Sequence, residues 1–307
     1  MLEIVNGSYR VRVLKDSLSP DGVRLTTLEI TFPRIVLAEL NTHRALSRNS
    51  ASSRAIPVAK VLKRVEENPF IPTYWGKNQK GMQADEELHI VDQALARKYW
   101  LSARDWAVSV AEDLNELGVH KQIVNRLLEP FTWHTVIVSA TDWENFFALR
   151  CHKDAQPEIR TIAIMMRDIL EQSIPETLNF GEWHLPLTTN EEIELWRRDE
   201  SNTTDWIEFW KKISVGRCTR VSYLTHDGKR DLQADIDLCD QLRSSGHMSP
   251  FEHVATPMSN EYTQFSDWDV RPEDRKKARA EQRYGNFHGW LQYRKLIPYE
   301  SDFSRVV

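Results

Sequence analysis

Thr42-His43-Arg44-Ala45-Leu46-Ser47-Arg48-Asn49-Ser50-Ala51-Ser52-Ser53-Arg54 packs one histidine, three arginines, four serines and an asparagine into thirteen positions and holds no carboxylate. Guanidinium groups fork onto phosphate oxygens, and hydroxyls and amides fill the remaining acceptor sites, so this composition suits a polyanionic ligand. A solvated, arginine-rich surface loop is the plainer reading of composition alone. The order of the residues and their surroundings decide between the two.

Upstream, residues 8–15 and 23–32 alternate apolar and polar side chains (Val11, Val13; Leu25, Leu28, Ile30, Phe32), which predicts two strands of an antiparallel pair. Pro33 then opens a helix at its first turn, where a missing N–H costs nothing. Ile35, Val36, Leu37, Leu40 and Leu46 give that helix an apolar face, with His43, Arg44 and Ser47 near its C-terminal end. The arginine-rich stretch is thus expected to straddle a helix end and the loop after it, where a packed scaffold aims a mobile segment.

Downstream, residues 82–117 read as one or two long amphipathic helices capped by Gly118. Trp133 to Ser139 reads as a short β-branched strand, and Asp142 as the cap of a helix carrying Asn145 and Arg150. A further helix is expected from about Ala155 to Gln172. Leu185 to Asp205 reads as a polar, irregular connection, residues 231–245 as a helix ending at Gly246, and residues 272–295 as beginning in a charged helix. There is no internal repeat, no Gly-x-Gly-x-x-Gly and no phosphate-loop lysine. A dinucleotide would have to bind without a Rossmann fingerprint.

Composition narrows the class. At 307 residues, 41% hydrophobic and 28% charged, the chain is globular and long enough to bury a sizeable core. A net charge of −5 argues against a general nucleic-acid binder, whose footprint is a basic excess. Cys151, Cys218 and Cys239 are odd in number and contain no Cys-x-x-Cys pair, which predicts reduced thiols without a disulfide framework or a zinc site. No basic-then-apolar leader and no membrane-length apolar run is visible, so a soluble, cytoplasmic protein without a membrane partner is expected.

The order of the arginine-rich stretch resembles the signature R-H-R-x-x-S-x-N-E-x-S-x-R of the flavin-dependent thymidylate synthases (ThyX). His43, Arg44, Ser47, Asn49, Ser52 and Arg54 fall on fixed positions, while Thr42 replaces the first arginine and Ser50 the glutamate. Leu149-Arg150, followed by Ala155-Gln156-Pro157-Glu158-Ile159, resembles the family's L-R-x(4)-A-Q-x-E-I stretch, with Asn145 in place upstream. Arg126, four residues before Pro130, sits where the family has a substrate-phosphate arginine. Arg220-Val221-Ser222-Tyr223 and Gly246-His247-Met248-Ser249-Pro250-Phe251-Glu252-His253 resemble two further family segments that ordinarily precede the arginine motif. Here they follow it, so the chain reads as a circular permutation, feasible when the original termini lie close together at the surface.

The resemblance implies an α+β fold: one domain over 1–307 with a curved, mainly antiparallel sheet flanked by helices. Within it, 1–187 would carry the arginine motif and nucleotide site, 188–214 a connection, and 215–307 the permuted segment completing the flavin site. It also implies the reaction, C5 methylation of dUMP to dTMP with methylenetetrahydrofolate as one-carbon donor and FAD reduced by NADPH. The cofactor carries the hard chemistry, so no protein nucleophile is required. Family members are homotetramers with sites between subunits, and the same is expected here.

On that resemblance Arg150 is the catalytic residue, a fixed cation at the uracil edge that stabilises negative charge as C5 becomes nucleophilic. Arg54, Arg126 and Ser52 resemble phosphate and sugar binders, and Glu39, Ser50 and Ser53 join the substrate-binding set. His43, Arg44, Ser47, Asn145, His247, Ser249 and Glu252 resemble flavin contacts. His43, His247 and Glu252 lack the i,i+4 His pair or thiolate of a metal site, so no metal is expected. His253 reads as a core hydrogen-bonding residue, Pro250 and Phe251 as structural, and Cys151 as a small buried residue. The aromatic stretch Asn286 to Arg294 suits either stacking on a folate or nicotinamide ring or core packing.

The departures bear on the substrate. Glu39 stands where many family members carry glutamine, and an ionised glutamate offers only acceptors. A base presenting an amine would then be favoured, leaving dCMP methylation or hydroxymethylation as an alternative. A homologue that binds nucleotides without catalysis is the rival of a different class.

Overall fold

Residues that alternate between two environments build the central sheet. The computed structural model describes residues 2–81, 83–199, 205–225, 231–258, 285–298 and 300. Strands β1 (Glu3–Asn6), β2 (Tyr9–Leu18), β3 (Arg24–Pro33), β4 (Ser47–Ser50) and β5 (Trp133–Ala140) lie in the order β1-β2-β3-β5-β4, all antiparallel. A two-residue strand, β6 (Glu176–Thr177), pairs in parallel with β2. Helices α1 (Leu37–Asn41), α2 (Val58–Glu67), α3 (Ile90–Glu116) and α4 (Lys121–Leu128) fall between β3 and β5, and α5 (Glu144–Arg150) and α6 (Pro157–Gln172) follow β5. Next come α7 (Asn190–Arg198), α8 (Trp206–Thr219), α9 (Leu232–Ser244) and a small hairpin of β7 (Ala255–Pro257) with β8 (Trp290–Gln292). The protein is an α+β fold with a mainly antiparallel sheet, as the sequence predicts.

One face of the sheet presents Val11, Leu28, Ile30, Phe32, Val136 and Val138 to Ile159, Ile162, Ala163 and Met166 of α6. Each such fully buried side chain stabilises the fold by roughly 1.5–3 kcal/mol, which makes this the main core. The opposite face carries Thr27, Ile137 and Ser139 and is covered by the C-terminal third. A register shift between Val13 and Lys15 accompanies burial of Leu14 against Ile137, Leu187, Cys218 and Val221. On the same face a fully buried polar chain runs from Ser17 Oγ through His184 (2.8 Å from its Nδ1) to Thr27 Oγ1 (2.8 Å from His184 Nε2). It continues to Ser139 Oγ (2.6 Å) and His253 Nδ1 (2.8 Å). His253 is therefore the core hydrogen-bonding residue expected from its sequence context.

Three sequence expectations need correction. The helix after Pro33 is only a 3₁₀ turn at Arg34–Val36 followed by α1, and Ser47–Ser50 is a strand, not a helix end and loop. Ser and Asn are weak helix formers, and pairing of Ser47 with Ser139 and Asn49 with Ile137, ninety residues downstream, overrides any local preference. The stretch Leu185 to Asp205 is not irregular throughout. Thr189 and Glu192 form a reciprocal capping box that starts α7, whose Trp196 stacks on Phe209 of α8 at 4.7 Å. The long helix after residue 82 begins only at Ile90, with the His89 side chain accepting from Val91 N–H. The charged helix expected from residue 272 falls mainly outside the described residues.

The C-terminal third has its own packing. Gly216 of α8 lies against α9 so closely that a Cβ there would sit 2.3 Å from the Asp235 carbonyl oxygen. Asp235 is fully buried and accepts from Arg217 Nε (3.4 Å) and Arg220 Nε (2.5 Å), a pairing that offsets the cost of its desolvation. Arg217 also reaches Leu187 O and Glu192, tying α8 to α7. This cross-linking positions the turn after α8 beside β4.

Candidate active site

α1 and α5 end at the same place, and their C-terminal residues meet. Arg150, the last residue of α5, donates Nε–H to His43 Nε2 at 2.9 Å, and its Nη2 reaches Thr42 Oγ1 at 3.1 Å and Glu39 O at 3.4 Å. Thr42, where the sequence departs from the family arginine, thus holds Arg150 by its hydroxyl. A guanidinium has five N–H donors. The contacts engage Nε and Nη2, and Nη1 has no partner among the described residues.

His43 is buried, edge-on to Phe146 with ring centroids 5.0 Å apart. Its pKa is held below the ordinary histidine value by burial first and by the Arg150 and Arg48 charges next, against an opposing hydrogen bond with Asn145. The imidazole is therefore neutral near pH 7, as it must be to accept from Arg150. Arg48 Nη1 donates to the Leu40 carbonyl (3.0 Å) and the His43 carbonyl (2.8 Å), satisfying acceptors left at the end of α1. Sequence reasoning did not single out Arg48, although it stands inside the arginine-rich stretch.

Both later motifs reach β4. Asn49 Nδ2 donates to Cys218 O at 2.7 Å, and Ser249 Oγ lies 3.5 Å from Asn49 Oδ1. Ser52 N–H donates to Ser222 O at 3.0 Å, and Ser222 Oγ lies 3.4 Å from the Ser50 carbonyl. Ser47 is buried and its hydroxyl accepts from Asn286 Nδ2 (3.2 Å) and Gln292 Nε2 (3.1 Å), while Gln292 also donates to Glu252 O. Glu252 pairs with Arg294, whose other partner is Glu300. Asn286, Gln292 and Arg294 are site neighbours that only their position in the aromatic stretch had signalled. In that same stretch Phe287, Trp290 and Tyr293 are core residues.

The remaining candidates are dispersed. Arg44, His247 and Ser249 are exposed; Ser245 Oγ lies 3.1 Å from His247 Nδ1. Arg54 is exposed at the end of the Ser52–Ser53 loop, and Asn125 of α4 anchors that loop by donating to Ser53 O (2.6 Å) and Ile56 O (2.9 Å). Arg126 points to the surface and pairs with Glu129 at 2.8 Å, without a contact to Arg54 or Arg150 among the described residues. Glu39 Oε2 is buried with no hydrogen-bond partner. Cys151 is half-buried, with its thiol pKa raised by burial first.

The family model for the thymidylate synthase complementing proteins matches residues 23–176, half of the 307, and those residues include β3, the arginine-rich stretch and Arg150. The chain belongs to that family. Membership places it among thymidylate synthase-like enzymes. Among curated protein sequences none matches significantly. Two solved structures are similar in fold. One is the UMP/dUMP methylase PolB from Streptomyces cacaoi bound with 5-Br UMP, at 16% identity and a TM-score of 0.46 over 54% of this chain and 90% of that one. The other is the same methylase bound with 5-Br dUMP, at 18% identity and a TM-score of 0.41 over 48% and 67%. The Arg220 and Gly246 segments lie beyond the residues that the family model matches. No helix among the described residues is long and apolar enough to cross a membrane.

Proposed function

We propose that the protein transfers a one-carbon unit from methylenetetrahydrofolate to C5 of dUMP and reduces it to a methyl group, using FAD and NADPH. The observation that carries this reading is the clamp on Arg150: His43, Thr42 and Glu39 O hold two of its nitrogens, and the Nη1 pair of N–H bonds is left for a ligand. A planar cation held in this way is preorganised, so it stabilises charge on a pyrimidine edge without reorganising during the reaction.

The residues present fit a flavin. Arg44, Asn145, His247 and Ser249 are exposed donors suited to phosphates and to a polar ring edge, and the Arg150 clamp lies beside Asn145. Ser47 and Glu252 would support these contacts from behind, because both are engaged with the β8 segment. Bound FAD would supply the hydride that completes the methyl group. His43 would keep Arg150 in place as a neutral acceptor, and Ser52, Ser53, Arg54 and Arg126 would hold the nucleotide's phosphate and sugar.

Arg126 is exposed, pairs with Glu129 and has no contact with Arg150 among the described residues, which favours a site assembled from more than one copy of the chain. α3, α4 and the turn between them display Tyr99, Trp106, Leu117 and Ile123 to solvent, large apolar side chains that assembly would cover. Both observations support the homotetramer that we propose. Purified protein should be yellow and release FAD on denaturation; a colourless protein that takes up no added FAD overturns the reading.

A second reading rests on Glu39. Its buried, unpartnered Oε2 is an acceptor awaiting a donor, and the exocyclic amine of dCMP is such a donor where the O4 of dUMP is not. Mass spectrometry of products from separate dUMP and dCMP incubations separates these substrates and also tells a methyl from a hydroxymethyl product.

A further inference from the structure

Helix α3 is 27 residues long, about 40 Å, and one side of it packs within the protomer. There Trp100, Ala107, Val108, Ala111 and Leu114 join Val61 and Val65 of α2 and Val124 and Leu128 of α4 in an apolar cluster. On the other side Val91, Leu95, Tyr99, Trp106 and Val110 are exposed, with Leu117 at the C-cap. At about 100° per residue these six fall within one arc of about 100°. Seven-residue steps join Tyr99 to Trp106 and Val110 to Leu117, the repeat of helices that pair along a seam. Single exposed apolar residues are ordinary on a surface, but a continuous stripe marks an interaction face.

The stripe also carries a hole. Ser102, Asp105, Trp106 and Ser109, at i, i+3, i+4 and i+7, line a shallow depression. This is the four-residue arrangement that receives a knob side chain from a facing helix. The two serines leave room for a large knob, and Trp106 lies near the centre of the stripe. A two-fold axis beside Trp106 would let each copy fill the depression of the other.

Charge selects the direction of that pairing. Arg97 and Lys98 are exposed in the first half of α3, and Glu112, Asp113 and Glu116 in its last turns. Lys98, Asp105 and Glu112 follow at seven-residue steps along one flank of the stripe, and Asp105 in the middle is paired with Arg104 at 2.6 Å. Parallel helices would set the acidic ends side by side. Antiparallel helices crossing at Trp106 set Lys98 beside the partner subunit's Glu112, and Tyr99 beside the partner subunit's Asp113. The helix dipoles favour the same direction.

We propose that α3 packs antiparallel on α3 of a second copy of this chain, with Trp106 at the two-fold axis and Lys98 paired across the interface with Glu112. The face is self-complementary, as a two-fold contact between identical chains requires. Its six apolar side chains together supply several hundred Å², on the scale of the roughly 800 Å² that each partner buries in a stable interface. The contact rests on the homotetramer reading and gives it one specific interface.

Sedimentation of the full chain as native protein, Lys98→Glu, Glu112→Lys and the double variant tests it. Each single variant should raise the dissociation constant of the assembly by about tenfold, because like charges then meet across the interface. The double variant should restore it. On one helix these two positions are about 20 Å apart, so the rescue must operate between copies. All three variants change exposed side chains, and unfolding midpoints equal to the native one verify that they fold. An assembly that both single variants leave intact, or that the double variant does not restore, overturns this contact alone. A native protein that is monomeric at every concentration overturns the homotetramer reading with it.

Discussion

Arg150 donates its Nε–H to His43 Nε2 at 2.9 Å, joining two helix ends that are 107 positions apart in the chain. The bond requires a neutral imidazole, and burial with two neighbouring guanidinium groups keeps His43 neutral. Charge placement and packing therefore favour the same state.

Arg150→Ala should lower the maximal rate by about two to three orders of magnitude, the usual loss when a preorganised donor is removed from the transition state. Bound FAD should remain on the proposed reading, because the exposed donors proposed for the flavin are untouched. Arg54→Ala should act mainly on nucleotide affinity, since a phosphate's charge does not change during the reaction. Steady-state kinetics with the flavin content measured in parallel distinguishes these; the reverse pattern would exchange the two roles.

His43→Gln should retain more activity than His43→Ala, because a side-chain amide oxygen can still accept from Arg150. The native protein should keep its clamp through pH 6.5 and lose it only at lower pH, as His43 takes up a proton beside two cations. An NMR titration placing the His43 imidazole above 6.5 would contradict this.

Glu39→Gln should shift preference toward dUMP over dCMP by restoring a donor at the base edge. Competition between the two nucleotides, read as a ratio of kcat/KM values, measures the shift. An unchanged ratio would remove Glu39 from the base-reading set.

Acid should unfold the protein through its buried imidazoles. His134 and His253 are held to about 3 by burial. His184 is pushed well below its ordinary value by the same cause, with Lys15 and His253 adding to it. Once unfolded, each takes up a proton near pH 6.5, so the unfolded state binds more protons below that point. Stability is fully present above 6.5 and falls as pH drops, by about 1.4 kcal/mol per pH unit for each imidazole. Denaturant midpoints at pH 7.5, 6 and 5 measure this, and equal stability at all three would show that these rings are accessible.

Trp106→Glu, on the exposed face of α3, should lower the oligomeric state without unfolding the chain, because that side chain has 73% exposure within one protomer. Light scattering during size exclusion reads the mass. An assembly mass unchanged by the substitution would put the interface elsewhere.

How far the chain could be read by itself varied with the range of the interactions involved. Alternation of Leu28, Ile30 and Phe32 marked β3, the 3.6-residue pattern of Ile159, Ile162 and Met166 marked α6, and the order of His43, Arg44, Ser47, Asn49 and Arg54 marked the family. These signals are local: they depend on a periodicity or a spacing within one segment. That Ser47–Ser50 is a strand, that Gln292 donates to Ser47, and that Thr42 and Glu39 O clamp Arg150 were decided only by the tertiary structure. Strand pairing and side-chain hydrogen bonding between residues a hundred or more positions apart leave no periodicity in either partner. A polar strand such as Ser-Arg-Asn-Ser takes its conformation from the neighbour that completes its backbone hydrogen bonds.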